Sequence, residues 1–354
     1  MRFVSFEQIV DLNINSIQCV EWAAEAIRCK SEWILPEKNS IKFGDNCFFN
    51  TMPSLWPRKN IFGVKEVSRI PTRIPALKAD ILLYDVLGGD LKAFMDGTWI
   101  TTMRTGAVAA ISMKLLKKSD AKKICFIGLG NTARATLLCY EALCGGSTLD
   151  VSILAYKNQH EDFIERFRTH KNIHFQVYDD VEEMIGTSDI VVSCVTATDC
   201  IFAPDNCYKK GVLVVPVHTR GFQNCDLFFD KIFCDDIAHI SGFKYFKQYK
   251  FVSELTDIIP PPPIYCFIWK NLENRQEAKG GIGNRKSAIR SKGGNQMVRE
   301  FLPIILVFLY KTYILLQRFW NLWNIEKVCQ RNFGYKRKNH TATFLCSCVW
   351  RNGA

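Results

Sequence analysis

The sequence predicts an α/β protein, and three observations carry that expectation. A run that turns apolar, residues 122–127 (KKICFI), ends in Gly128-Leu129-Gly130-Asn131-Thr132-Ala133, a G-x-G-x-x-A turn at the mouth of a helix. Behind it come a helical pattern at Ala135, Leu138, Cys139, Ala142 and Leu143 and a second strand at 151–155. Two further apolar runs, 189–195 (DIVVSCV) and 211–217 (GVLVVPV), have the composition of strands buried on both faces of a parallel sheet. Together they predict a doubly wound parallel sheet of the Rossmann kind over residues 108–240. A second α/β domain precedes it at 1–107, and a return segment follows at 241–260.

The glycine turn has a specific physical logic. Gly128 permits the tight turn, Gly130 lets backbone approach a pyrophosphate, and small Ala133 lets the helix pack on the strand. Free N–H groups at Asn131 and Thr132 and the helix dipole attract the anion. A tight strand-to-helix turn without a ligand is the plainer alternative.

Earlier in the chain, Ile9, Leu12, Ile17, Val20, Ala24 and Ile27 recur at near-helical spacing and predict one or two amphipathic helices joined near residues 13–16. From 41 to 84, short apolar segments bounded by Gly, Pro and Asn predict strands of a mixed or antiparallel sheet. Leu87-Gly88-Gly89-Asp90 fits a two-residue hairpin turn, and Asp96-Gly97 makes the next turn. Lys65 sits mid-strand beside Val64 and Val67. Alternation places it opposite those neighbours, so read alone it is a solvated strand lysine. Arg104 precedes a helix expected to begin near Gly106, where it either offers a two-pronged donor to a carboxylate or caps a neighbouring loop.

Past the second strand of the nucleotide domain, residues 154–158 hold no carboxylate of the kind that accepts adenosine ribose hydroxyls. Lys157 there either faces a 2′-phosphate, which points to NADP, or is a solvated loop lysine. A helix at 163–167, a strand at 173–178 and a short helix at 181–185 complete the alternation. His218 and Arg220 are either ligand contacts or structural. Residues 231–234 read as a further strand, with Asp235 and Asp236 as solvated charges at its end, because adjacent carboxylates on a strand point opposite ways.

Composition narrows the function classes. At 354 residues and 48% hydrophobic, the chain can bury two ordinary cores without disulfides. Its 15 cysteines are scattered and residues 1–10 lack a leader's apolar stretch, so a reducing cytoplasm is expected. Cys346-Ser347-Cys348 is poor zinc spacing, and no metal is expected. The formal charge of +11 belongs to the tail: residues 1–260 carry 30 Lys and Arg against 31 Asp and Glu, and 261–354 carry 16 against 4. The near-neutral first part gives no case for nucleic acid.

Arg104-Thr105-Gly106-Ala107, a helix, and then a strand with G-x-G-x-x-A-R through Arg134 resemble the ornithine cyclodeaminase and mu-crystallin family over residues 1–258. The resemblance implies an NAD- or NADP-dependent oxidoreductase acting on the amino or imino carbon of a small amino acid or cyclic imine. A homodimer built through the first domain goes with it. Lys65, which follows a Met-Pro pair like Met52-Pro53, and Arg104 are implied to clamp the substrate as catalytic residues, with Lys65 also a candidate proton carrier. Thr105 and Ala107, read at the helix start, are implied to meet the cofactor phosphates with Gly128, Gly130, Asn131, Thr132 and Ala133. Thr196 and Ala197 are implied to approach the nicotinamide side. The aspartate assigned to ring closure in cyclodeaminases has no match, since the nearest positions read His218, Thr219 and Arg220 and Asp226 comes too late. Ornithine cyclisation is therefore the weaker alternative, beside a non-catalytic mu-crystallin-like nucleotide-dependent binding protein.

After Pro260 the chain changes character: residues 261–354 contain no aspartate, and 271–300 read as a flexible basic linker. The apolar run 301–310 is 10 residues long, short of the roughly 20 that span a bilayer, so no membrane span is expected. Three readings compete for this tail: a membrane or nucleic-acid arm, a partner-binding extension, and a translated out-of-frame segment. The last is favoured, because the family closes here with a strand and a helix that this composition does not restore.

Overall fold

The computed structural model of the protein describes residues 1–196, 198, 200–218, 227–260 and 314–317. Two sheets share one apolar core, and each grows from local signals in the sequence. β1 (Arg2–Val4) leads into α1 (Phe6–Val10) and α2 (Ser16–Arg28). Ser5 with Gln8, and Asn15 with Gln18, close capping boxes over the first turns of the two helices. Asn13, left-handed at φ 48, makes the predicted break between them.

β2 (Asn39–Phe43), β3 (Cys47–Trp56), β4 (Ile61–Arg69), β5 (Leu77–Asp85) and β6 (Leu91–Asp96) form an antiparallel meander, and β1 adds in parallel to β6. Alternation sends Ala79, Ile81 and Leu83 of β5 and Ala93 and Met95 of β6 inward. Each large apolar side chain so buried contributes roughly 1.5–3 kcal/mol. The turn from β5 to β6 is longer than the two residues expected. Residues 86–90 form it, because the Asp85 N–H donates to the Asp90 carbonyl and the Asp85 carboxylate accepts from the Gly88 N–H.

α3 (Thr98–Leu116) begins eight residues earlier than Gly106, the helix start read from the sequence. The Asp96 carboxylate accepts from the Thr98 N–H at 2.7 Å and anchors the first turn. Gly106 answers to packing instead: a Cβ there would lie 2.4 Å from the Ala135 carbonyl carbon of the neighbouring helix. Arg104, Thr105 and Ala107 are therefore interior residues of a long buried helix, and the domain boundary expected at 107/108 falls within it.

The second sheet follows the expected βα alternation: β7 (Lys123–Ile127), α4 (Asn131–Cys144), β8 (Leu149–Leu154), α5 (Gln159–Arg166), β9 (Ile173–Tyr178), α6 (Val181–Thr187), β10 (Ile190–Ser193) and β11 (Leu213–Pro216). β9, β8, β7, β10 and β11 lie side by side in that order, all parallel. The order reverses between β7 and β10, so the crevice at the carboxyl ends of these two strands is the switch point where doubly wound sheets bind ligands. β12 (Ile232–Cys234) and β13 (Val252–Glu254) pair in parallel at the far side. One strand from the tail, β14 (Ile314–Gln317), lies antiparallel between β11 and β12; the rest of the tail falls outside the described residues. Among the described residues, no helix is long and apolar enough to cross a membrane.

The carboxylates after β12 differ from the solvated pair expected. Asp235 is fully buried and Asp236 nearly so, and Lys30, just past the end of α2, reaches both. Its Nζ lies 3.4 Å from the Asp236 carboxylate and donates to the Asp235 carbonyl and, at 2.6 Å, to Glu254.

Candidate active site

A cavity of about 720 Å³ opens where the first sheet meets the carboxyl ends of β10 and β11. β4 contributes Lys65, which is 1% exposed. The sequence reading put this lysine opposite Val67, but residues two apart on a strand share a face. Ile61, Gly63, Lys65 and Val67 alternate inward together, and the face read as solvated is the buried one. Lys65 Nζ has no hydrogen-bond partner among the described residues. Burial pushes its pKa well below the usual lysine range, Arg104 and Lys38 push it further, and Asp235 pulls the other way.

α3 supplies the opposite wall. Thr98, Thr101, Thr102 and Thr105 stand at i, i+3, i+4 and i+7, so one polar stripe of a largely buried helix faces the cavity, with Arg104 beside it. Arg104 is 2% exposed. The Asn50 amide oxygen, the Thr101 hydroxyl and His239 Nε2 are also buried there without hydrogen-bond partners among the described residues, while His239 Nδ1 faces the Asp235 carboxylate at 3.6 Å. Each unsatisfied group costs about 1–3 kcal/mol, which a polar ligand would recover.

The nucleotide-domain side contributes Thr132, Thr196, Val217 and His218. Burial, with Arg104 and Arg69 adding to it, holds the His218 pKa down at about 4, so its imidazole is neutral at pH 7. Gly128 has φ +81, and a Cβ on it would come within 3.0 Å of the Cys194 backbone, so both its conformation and its packing require glycine. Gly130 differs: a Cβ there would meet nothing within 4 Å. It stands in open space at the start of α4, as a cradle for a pyrophosphate must.

The structure thus brings Lys65, Arg104, Thr105, Thr132 and Thr196 to one cavity, with the Gly128–Gly130 turn beside it. Ala133 is buried at the turn, and the Asn131 side chain accepts from Arg166, leaving its backbone N–H at the helix start. Ala107 is fully buried and does not line the cavity; its place in the helix interior, two residues past the cavity-facing Thr105, explains why. Ala197, Arg220 and Asp226 lie outside the described residues. Lys38, Asn50, Thr101, Asp235 and His239 were not read from the sequence as site residues. A correct start for α3 would have exposed the threonine stripe; the others come together only through tertiary packing.

The sequence profile of the ornithine cyclodeaminase/mu-crystallin family matches residues 3–233. A Delta(1)-pyrroline-2-carboxylate reductase of Bacillus cereus is 28% identical over 214 residues, covering 57% of this chain and 63% of the relative, so the chain spans less than two thirds of that protein's length. A ketimine reductase mu-crystallin of Mus musculus is 31% identical over 130 residues, 37% of this chain and 40% of the relative. Among solved structures, the Thermococcus litoralis Delta(1)-pyrroline-2-carboxylate reductase, in complex with NADH and L-proline, superposes with a TM-score of 0.59 at 20% identity. The match covers 88% of this chain and 97% of that one and shows the shared fold.

Proposed function

We propose, because this chain belongs to the ornithine cyclodeaminase/mu-crystallin family, that it is a nicotinamide-nucleotide-dependent oxidoreductase acting at the amino or imino carbon of a small amino acid or cyclic imine. One observation carries the reading: two buried cations, Lys65 and Arg104, line a cavity that also reaches the carboxyl ends of β10 and β11, beside a glycine turn with open space above it.

The backbone of residues 128–133 would hold the diphosphate of NAD or NADP, with Thr132 and Thr196 on the cavity side. A nicotinamide ring, when bound, supplies hydride chemistry. The protein's residues do the rest. The Arg104 guanidinium and the Lys65 ammonium grip the substrate carboxylate and fix the reacting carbon, and positioning of this kind accounts for much of the rate. Lys65 Nζ, whose pKa is lowered by burial and by Arg104 and Lys38, exchanges a proton with the substrate nitrogen. Neutral His218 and the threonine stripe offer hydrogen bonds without adding charge.

The same reading includes a homodimer formed through the first sheet, whose edge exposes Ile41, Phe43 and Phe49 at 64%, 45% and 47%. It also places the chain in the cytoplasm, in keeping with free thiols buried at Cys19, Cys125, Cys139 and Cys194. The test is a thermal-shift screen with NAD, NADP and their reduced forms, followed by amino acids added to the stabilising nucleotide. A nucleotide-dependent rise in Tm that an amino acid increases supports the reading; no response to any nucleotide refutes it.

A further inference from the structure

The cavity holds more positive charge than one carboxylate requires. Lys65 and Arg104 answer the substrate's α-carboxylate under the function proposed above. Lys38, Lys42 and Arg69 line the same cavity from β2, the segment before it, and β4. Glu37, which is exposed, is the only carboxylate lining it among the described residues.

The three extra cations lack internal carboxylate partners. Neither Lys38 nor Lys42 makes a side-chain ion pair or hydrogen bond among the described residues. Arg69 donates to the Asn46 carbonyl at 2.6 Å, which orients its guanidinium and leaves its charge unneutralised by that contact. Lys78 shows the contrast, since its ammonium is paired with Asp80 at 3.6 Å. These cations also act on the site. Lys38 and Arg104 both push the Lys65 pKa down, while Arg69 and Arg104 both push His218 down. Asp235 is the one buried anion that raises Lys65 and Lys38, and its single charge offsets only part of five.

A half-enclosed cavity of one sign attracts a ligand of the other, and like charges gathered there persist because a bound anion compensates them. We propose that the substrate carries a second acidic group, as an α-amino or α-imino dicarboxylate. Its α-carboxylate meets Lys65 and Arg104, and its distal carboxylate meets Lys38 and Arg69, with Lys42 at the mouth. The same charge disfavours a diamino acid such as ornithine, whose second ammonium would face these cations.

The inference rests on the oxidoreductase reading, and one experiment separates the two. Affinities and kcat/KM are measured at low salt for L-aspartate, L-glutamate, L-alanine, L-proline and L-ornithine with the nucleotide-saturated full chain, and then for the exposed-strand variant Lys42→Gln and for Lys38→Gln. The expected result is a preference of about tenfold or more for a dicarboxylate. Lys38→Gln should erase that preference and Lys42→Gln should reduce it, each by weakening the dicarboxylates more than the monocarboxylates. Turnover of monocarboxylates with no dicarboxylate preference, or a preference intact in both variants, overturns the inference alone. Failure of every amino acid to bind or turn over with any nucleotide removes both readings together.

Discussion

Gly106 of α3 and Ala135 of α4 lie backbone against backbone: a Cβ on Gly106 would stand 2.4 Å from the Ala135 carbonyl carbon and 2.5 Å from the Thr136 nitrogen. α3 carries Arg104 and Thr105, and α4 begins at Asn131 directly after the glycine turn. This one close crossing therefore sets the distance from the proposed substrate clamp to the proposed nucleotide cradle.

Gly106→Ala must push the two helices apart. Overpacking of this kind costs about 1–3 kcal/mol. Urea denaturation should show that loss, and kcat/KM should fall further than stability does, because the shift also moves Arg104. An unchanged midpoint with unchanged activity would show that the crossing does not set the site.

Lys65→Met should separate stability from function. The folded-state pKa of Lys65 lies below its unfolded value, so between the two the unfolded chain binds more protons and stability rises with pH. The slope runs from the depressed folded pKa up to about 10.4. The methionine variant should lose this slope and gain on the order of 1 kcal/mol at neutral pH, since no buried ammonium remains to be neutralised. Its kcat/KM should fall by about 10²–10⁴-fold. Urea midpoints across a pH series check the first, and steady-state kinetics the second.

The two glycines of the turn should fail in different ways. Gly130→Leu meets open space at an ordinary φ of −79, so its Tm should stay within about 3 °C of the wild type while nucleotide affinity drops at least about tenfold. Gly128→Ala forces a side chain into a left-handed backbone against Cys194 and should cost about 1–3 kcal/mol of stability. Paired thermal melts and fluorescence titrations with reduced nucleotide distinguish them.

Lys30→Met should leave Asp236 and Glu254 facing each other without the ammonium between them. Breaking a largely buried charge cluster from one side costs about 3 kcal/mol, and Tm reads it directly.

What the sequence made legible was local. The glycine turn, β9 and the apolar runs that became β10 and β11 announce themselves through the composition of a few consecutive residues. Gly106 misled because glycine marks helix ends and helix crossings alike, and only the contact with Ala135 decides between them. The face of Lys65 was misassigned through the parity of Val67. Its burial further depends on α3 closing over the first sheet, a long-range event. Asp235 and Asp236 looked solvated because their contacts are long-range: Lys30, which reaches both, stands 205 residues from Asp235 in the chain. The cation excess was invisible for the same reason: Lys38, Lys42 and Arg69 are ordinary surface types until the fold gathers them around one cavity.

The most direct test is a crystal structure of the protein grown with reduced nicotinamide nucleotide and a small amino acid. The account predicts the diphosphate over the amides of residues 128–133 and the amino acid's carboxylate within hydrogen-bond distance of both Lys65 Nζ and the Arg104 guanidinium. A nucleotide bound elsewhere, or a carboxylate touching neither cation, would contradict it.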